Sequence, residues 1–499
     1  MNRQKKCMSF GLTSTQKTKL NNLDQTATPL ATALEIECNK SMLAYDVPGH
    51  KGNLKELKDF FGEKTVLLDK NSRPSIDNIC EPTGVIKESE SLAAQAFGAE
   101  NAFFMVNGTT STVQAMVMCA INPGEKIIMP RNVHVSVINA VILAGGVPVF
   151  VDPGVHSKYG IPLGMKNQDL LFAINSNPDA KAVLVNNPTY YGVCSDLAFI
   201  VKTAHERGMS VLVDEAHGTH FYFGDGLPVT AMTAGADYSA VSMHKTGGSL
   251  TQTSILLTGK GVDCERVRKI INLTLTTSAS YILLASIDIA RKKLATQGKC
   301  IINNLIKTVG ESINKINQIN GLEVLTYENM VKDEAVYDFD KTKLAINTVG
   351  VGLAGIEVYN LLRENYNIQL EFGDISNILA LPAIGDGENY GDILVSALSD
   401  LVKKYAKTQS VGYFYEYLKP IVKISPRDAF YAPQERVLVA ESVGRISSEY
   451  IMCYPPGIPL IAPGEIITEE IIEHINYAKQ KGCKIIGGQG EITRITVVK

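Results

Sequence analysis

The 499-residue sequence has no excess of basic residues, no acidic tail and no block of like charge. Lys plus Arg number 48, Asp plus Glu 51, and the formal net charge is −3. This argues against a polyanion-binding surface, and so against nucleic acid as a partner. Also missing is any CxxC pair or Cys/His cluster. The nine cysteines are odd in number and scattered from Cys7 to Cys483. Neither a disulfide framework nor a metal site is therefore expected, whereas free or buried thiols in a reducing cytoplasm are. Residues 1–25 carry Lys5, Lys6, Lys17 and Lys19 without an apolar core segment, so a secretory signal is not expected. The longest apolar stretch, Val135 to Val151, is broken by Ser136, Asn139, Gly145-Gly146 and Pro148. It reads as a helix followed by a strand, not as a membrane span. Internal repeats and low-complexity tracts are lacking too. What is left is ordinary globular composition, 45% hydrophobic and 20% charged, in a chain long enough for about three domains at roughly 150 residues each.

From about residue 100, strand and helix signals alternate. Short apolar runs at Asn101–Val106, Lys126–Met129, Val147–Val151, Lys181–Val185, Ser210–Val213 and Tyr238–Val241 read as strands. Between them, Ser111–Ala120, Val133–Ala144 and a segment capped by Asp196 and ending near Arg207-Gly208 read as helices. This alternation predicts a mostly parallel sheet covered on both faces, with ligands bound beyond the carboxyl ends of its strands. Ile301–Ile319 reads as a long amphipathic helix opening a smaller second domain that runs to about 405. Pro420 and Ser425-Pro426 mark a linker into a third segment rich in Pro and Gly around 454–464.

Asp214 ends one of these strands, in Asp214-Glu215-Ala216-His217. Lys245 follows the next, in Ser242-Met243-His244-Lys245. An aspartate and a lysine at adjacent strand ends are what pyridoxal 5′-phosphate (PLP) requires. The amine forms an imine with the cofactor aldehyde, and the carboxylate keeps the ring nitrogen protonated so that the ring accepts electrons from a carbanion. Gly108-Thr109-Thr110-Ser111 follows a strand and opens a helix, where backbone N–H groups and hydroxyls can hold a phosphate; read alone it is an ordinary N-cap turn. His134, at the start of another helix, is either a cap or a ring stacked on the cofactor and able to pass protons. Asn187-Pro188-Thr189-Tyr190-Tyr191-Gly192 forms a turn over the same region. Ser242 and His244 are placed to add phosphate contacts, and Ala216 leaves room for a ring against the backbone.

Taken together, these residues resemble the ornithine/lysine/arginine decarboxylase family, a fold-type-I PLP group. The likeness extends through Thr28-Pro29-Leu30, Pro48-Gly49-His50-Lys51, Phe97-Gly98-Ala99, Val106-Asn107-Gly108-Thr109 and Arg131-Asn132-Val133-His134. It continues through Leu250-Thr251-Gln252, Ser280-Tyr281, Asp288-Ile289-Ala290-Arg291, Tyr454-Pro455-Pro456-Gly457-Ile458-Pro459 and Pro463-Gly464-Glu465. The chain looks most like the short bacterial branch, typified by biosynthetic arginine decarboxylases, with no room before Thr28 for the receiver-like wing of the long inducible enzymes.

The resemblance implies an aspartate aminotransferase-like large domain with a mostly parallel sheet, a smaller α+β domain and a C-terminal domain. The implied divisions are an N-terminal arm (1–44), a PLP-binding domain (45–300), a small domain (301–410) and a C-terminal decarboxylase domain (411–499). It also implies site roles. Lys245 forms the internal imine, Asp214 pairs with the ring nitrogen, and His134 stacks on the ring. Thr109, Thr110, Ser242 and His244 bind phosphate, with His217 at the ring side. Ser278, in Thr276-Thr277-Ser278, reaches the phosphate of a neighbouring subunit, which makes the active unit a homodimer. Val135 stands where the family has Lys, and Ala279 where Pro is common; neither change removes a catalytic group.

The expected reaction is decarboxylation of a basic amino acid, with Cα reprotonated by Lys245 or His134. For arginine the product is agmatine, a polyamine precursor; lysine and ornithine remain open as substrates. An aminotransferase would need an arginine for the α-carboxylate, and Arg363 and Arg427 lie in no such motif. A non-catalytic protein on this fold is the other alternative, against which the intact Lys245 and Asp214 argue. A guanidinium or ammonium side chain needs carboxylates. Glu449, Glu465 and Asp428 are the candidates in the C-terminal segment, with Glu371 and Asp374 of similar status.

Overall fold

The computed structural model describes residues 23–40, 42–331, 333–387, 389–408, 418–453, 457–480, 482–487 and 493–499. The lysines and Cys7 of the N-terminal segment, and Tyr454-Pro455-Pro456 of the C-terminal motif, lie outside the described residues.

The six short apolar runs become strands β1 (Asn101–Met105), β2 (Lys126–Pro130), β3 (Val147–Val151), β4 (Ala182–Asn186), β6 (Ser210–Glu215) and β7 (Tyr238–Val241), and the fold adds β5 (Val193–Cys194) and β8 (Ser254–Thr258) to them. Seven of them form one sheet in the order β1-β8-β7-β6-β4-β2-β3. Strands β3, β2, β4, β6 and β7 run parallel, and β8 is antiparallel to both its neighbours. The sheet is buried on both faces. In β6, Leu212 faces one core while Val211 and Val213 face the other, as the two-residue period of a strand requires. The expectation of a mostly parallel sheet therefore holds, with β8 as an addition that no sequence signal announced.

Helices α1 (Pro29–Cys38), α2 (Val85–Ala96), α3 (Gly108–Ala120), α4 (Val135–Ala144) and α5 (Leu197–His205) cover this sheet and its approaches. The next, α6 (Tyr281–Ile316), is a single helix of 36 residues. It begins well before the Ile301 expected from the sequence, so the 300/301 division falls inside it. Its first half is held by Asp288 and Arg291, a fully buried pair whose partners lie at the chain's start. Asp288 Oδ2 accepts from the N–H groups of Leu30 and Ala31, and Arg291 donates to the carbonyls of Gln25 and Ala27. Two motifs separated by most of the large unit thus meet in one contact.

The second half of α6 packs with α7 (Gly355–Tyr366) and α8 (Tyr390–Tyr405) over an antiparallel sheet. That sheet comprises β9 (Glu323–Val324), β11 (Leu344–Asn347), β12 (Phe372–Gly373) and β13 (Asn377–Ala380), ordered β12-β13-β11-β9. The short β10 (Asp338–Phe339) leaves this unit to pair with β5. A third unit contains β14 (Gln434–Leu438), β15 (Ile451–Cys453), β16 (Ile458–Ile461), β17 (Ile485–Ile486) and β18 (Arg494–Val498), around an isoleucine-rich core.

Candidate active site

Because β6 and β7 are parallel neighbours, their carboxyl ends open on the same side, and Asp214 and Lys245 come together there. Gly108, Thr109, Thr110, His134, Tyr190, Asp214, Ala216, His217, His244, Lys245, Gln252 and Glu371 all line one cavity of about 450 Å³ at this edge.

Asp214 is buried. One carboxylate oxygen accepts the Ala216 N–H at 3.1 Å, and the other receives no hydrogen bond among the described residues. Burial raises its pKa, and the Ala216 N–H and Lys245 partly offset that. A cationic ring nitrogen in the cavity would complete the compensation. The Lys245 amine is lowered by burial against the opposing pull of Asp214 and Glu371. It lies 2.9 Å from His217 Nε2 and 5.1 Å from the centre of the Tyr190 ring, which itself packs on His217 at 4.4 Å.

His134 stands both at a helix start and at the cavity wall. It caps α4, its Nδ1 accepting the Ser136 N–H at 3.2 Å, and its ring lines the cavity. Burial, and secondarily Lys245, push its pKa down to about 4, so the ring is neutral near pH 7.

Two observations test the fit to PLP. Gly108 has φ +75° at the mouth of α3, with nothing within 4 Å of where a Cβ would stand. The neighbouring Thr109 Oγ1 is buried and has no hydrogen-bond partner among the described residues. A buried hydroxyl without a hydrogen bond is costly, and a phosphate at this helix start would satisfy it. His244 lines the same cavity, and its Nδ1 contacts Ser242 Oγ at 3.1 Å and the Thr253 carbonyl at 3.0 Å. Ser242 stands behind His244, fully buried. The residues present therefore fit the cofactor. No cluster of three or more His, Cys, Asp or Glu able to hold a metal occurs among the described residues.

The acidic residues are distributed differently. Glu465 forms a buried bidentate pair with Arg131, its oxygens 2.9 and 2.8 Å from Nε and Nη2, while Arg131 also donates to the Pro459 carbonyl. This pair docks the C-terminal unit onto the loop that carries His134, and Val135 N–H adds a bond to the Gly457 carbonyl. Asp428 accepts from Ser425 Oγ at the N-cap of a short helix, and Glu449 accepts the Thr496 N–H. None of these three lines the cavity with Lys245, whereas Glu371 does. Asp374 is engaged by Tyr191 and by the backbone of Ser376 and Asn377. Ser278 is exposed and does not line the cavity of its own chain.

One residue at the site went unremarked in the sequence. Lys343, 1% exposed, precedes β11 and places its amine 3.1 Å from His217 Nδ1. The available signal was a lysine at the head of the apolar run Leu344-Ala345-Ile346.

The Orn/Lys/Arg decarboxylase major-domain model matches residues 28–390, and the C-terminal-domain model matches 412–493. The chain belongs to this family. The arginine decarboxylase of Bacillus subtilis (strain 168) is similar to this family member over nearly its whole length. The two are 42% identical over 485 residues, covering 96% of this chain and 99% of the relative. The lysine decarboxylase LdcA of Pseudomonas aeruginosa is 23% identical, covering 90% of this chain and 76% of that protein. Among solved structures, the Francisella novicida lysine decarboxylase LdcF superposes with a TM-score of 0.84 at 19% identity, covering 97% of this chain and 82% of that one. It shares the fold: a mostly parallel large unit, a smaller α+β unit and a C-terminal unit. No helix among the described residues is long and apolar enough to cross a membrane.

Proposed function

We propose that this chain is a PLP-dependent arginine decarboxylase, giving agmatine and CO₂. The observation that carries the substrate is the 42% identity to an arginine decarboxylase across 96% of the chain, against 23% to a lysine decarboxylase. When bound, PLP supplies an aldehyde for the substrate amine and a protonated ring that takes up the electron pair left by the departing carboxylate. Lys245 holds the cofactor between turnovers and returns a proton to Cα, a role that neutral His134 is also placed to share. Asp214 keeps the ring nitrogen protonated. Thr109, Thr110 and His244, backed by Ser242, hold the phosphate, and Ala216 lets the ring lie close to β6. Glu371 is the carboxylate that faces the substrate's cationic end.

The active unit is a homodimer in which Ser278 approaches the partner's phosphate, and the enzyme works in the cytoplasm. The seven described cysteine side chains, all free thiols, support the latter.

Incubation with arginine, lysine and ornithine separately, reading CO₂, amines and keto acids, tests the assignment. Agmatine from arginine alone is the expected result, and a keto acid without CO₂ would make the protein an aminotransferase. Lys245→Ala should lose both the near-ultraviolet imine band and turnover.

A further inference from the structure

A second cavity, of about 390 Å³, lies where the large, small and C-terminal units meet, a size and position usual for small-molecule sites. Its wall is mostly apolar: Val155 comes from the large unit, Ile356, Phe372 and Ile375 from the small one, and Leu418 and Ile458 from the third. No described residue lines both this cavity and the one that holds Lys245. Three segments nevertheless contribute to each. Arg131 and Asn132 line the junction, and His134 the Lys245 cavity. Tyr191 lines the first, and Tyr190 the second. Phe372, Gly373 and Asp374 line the first, and Glu371 the second. The Phe372 ring packs edge-on against Tyr190 and Tyr191, with 6.0 and 5.7 Å between ring centres. Whatever fills the junction therefore touches the side chains that support Tyr190 and Glu371.

The polar groups of the junction set the chemistry of an occupant. Arg131 is engaged by Glu465. Asp374 accepts from the Tyr191 hydroxyl on one oxygen and from the N–H groups of Ser376 and Asn377 on the other. Two cations are left. The Arg363 guanidinium lies over the ring of Tyr359, one turn earlier on α7, at 5.9 Å from its centre. Its ion pair with Glu364, at 3.4 Å between two exposed side chains, holds it weakly. Lys484 is exposed and forms no ion pair among the described residues. Asn132 supplies a third group. It is 5% exposed, and its Nδ2 donates to the Leu163 carbonyl at 3.0 Å, which fixes the orientation of the amide. Its Oδ1 is then left buried without a hydrogen-bond partner among the described residues. An unmet buried acceptor is costly, and an N–H or O–H group of a ligand would meet it.

We propose that this junction is a regulatory site for an aromatic carboxylate that also carries an N–H or O–H donor. The ring fills the apolar walls, the carboxylate meets Arg363 and Lys484, and the donor meets Asn132 Oδ1. Glu371 directly precedes Phe372, so occupancy acts on the carboxylate that faces the substrate's cationic end. The effect therefore falls on substrate binding. This coupling rests on the arginine decarboxylase reading above, whereas the site itself does not.

Calorimetric titration of the holoenzyme with indole-3-propionate, its N-methyl derivative and the corresponding amine tests the site. The acid should bind once per chain, and loss of either the N–H or the negative charge should weaken binding about tenfold. Arg363→Glu/Lys484→Glu changes two exposed positions, so the core stays packed. It should weaken the acid by about tenfold or more and turn the preference toward the amine. Equal affinity for acid and amine in the wild type, or wild-type affinity for the acid in the double variant, would overturn the site. Saturating acid should also change KM for arginine by about fivefold or more at constant kcat, a response that the double variant should lose. An unchanged KM would overturn the coupling. Wild-type protein that releases no CO₂ from arginine, with or without the acid, would instead overturn the decarboxylase reading, and the titration still decides the site.

Discussion

His134 has two roles that substitution can separate. Its Nδ1 caps α4 while its ring lines the cavity. His134→Asn keeps an N-cap of good quality but removes the ring, so unfolding should change by a few tenths of a kcal/mol while single-turnover CO₂ release falls about 10²–10⁴-fold. His134→Ala should add about 0.5–2 kcal/mol of destabilisation to the same catalytic loss. Asp214, Lys245, Thr109 and His134 could be found in the sequence because each sits at a strand or helix end, and those ends converge in a parallel sheet. Glu465 and Lys343 could not be placed that way. Glu465 reads as one acid among several until folding brings Arg131 to it from 334 positions away. Removing one member of that buried pair leaves the other charge unpaired. Urea unfolding of Arg131→Met should therefore show a loss of about 3–5 kcal/mol, with Arg131→Met/Glu465→Leu losing less.

Periodicity located β2, β3, β4, β6 and β7 because each is an apolar run set between helices. It missed β8, five buried residues whose direction no pattern encodes. The sequence also split α6. Its apolar positions Leu284, Ile287, Leu294, Ile302, Leu305 and Val309 repeat at helical spacing throughout, but the large-unit half is read most easily as a motif. Two glycines of α6 provide a test. At Gly298 an added Cβ would lie 2.9 Å from Phe223 Cβ, whereas at Gly310 nothing lies within 4 Å. Gly310→Ala should stabilise by about 0.5–1 kcal/mol in thermal unfolding, the ordinary helix-propensity gain. Gly298→Ala should instead destabilise by about 1–3 kcal/mol, since overpacking against a fixed ring outweighs propensity. Equal effects at the two sites would show that α6 is not packed on Phe223.

At the scale of the whole chain, buried titratable groups of both signs make stability depend on pH. Burial, joined by Lys245 for His134, pushes both His134 and His474 down to about 4, whereas in the unfolded chain each titrates near 6.5. Between those values the unfolded state binds more protons, so stability falls as pH is lowered from 6.5 to 4, by up to about 1.4 kcal/mol per pH unit per histidine. Glu215 opposes this. Burial raises it to about 7, so the folded state takes up that proton first and gains stability as pH falls from 7 to 4.5. His217, His156 and His244 are lowered in the same sense as these two histidines, and Asp152, Asp214, Asp374 and Asp386 are raised like Glu215. His474→Leu should change the acid slope of the urea-midpoint profile by the one proton that His474 contributes.

The strand made first in the large sheet is the one closed last. β1 has a single neighbour there, β8, in a register that sets Asn101 opposite Thr258. At roughly 5–20 residues per second, a ribosome needs on the order of ten seconds or more to deliver Thr258 after Asn101. Throughout that interval Phe103, Phe104 and Met105 have no strand to pair with. The nascent chain therefore exposes an apolar edge to the crowded cell interior, and the yield of this protein should respond to translation speed and chaperone supply even where its chemistry does not.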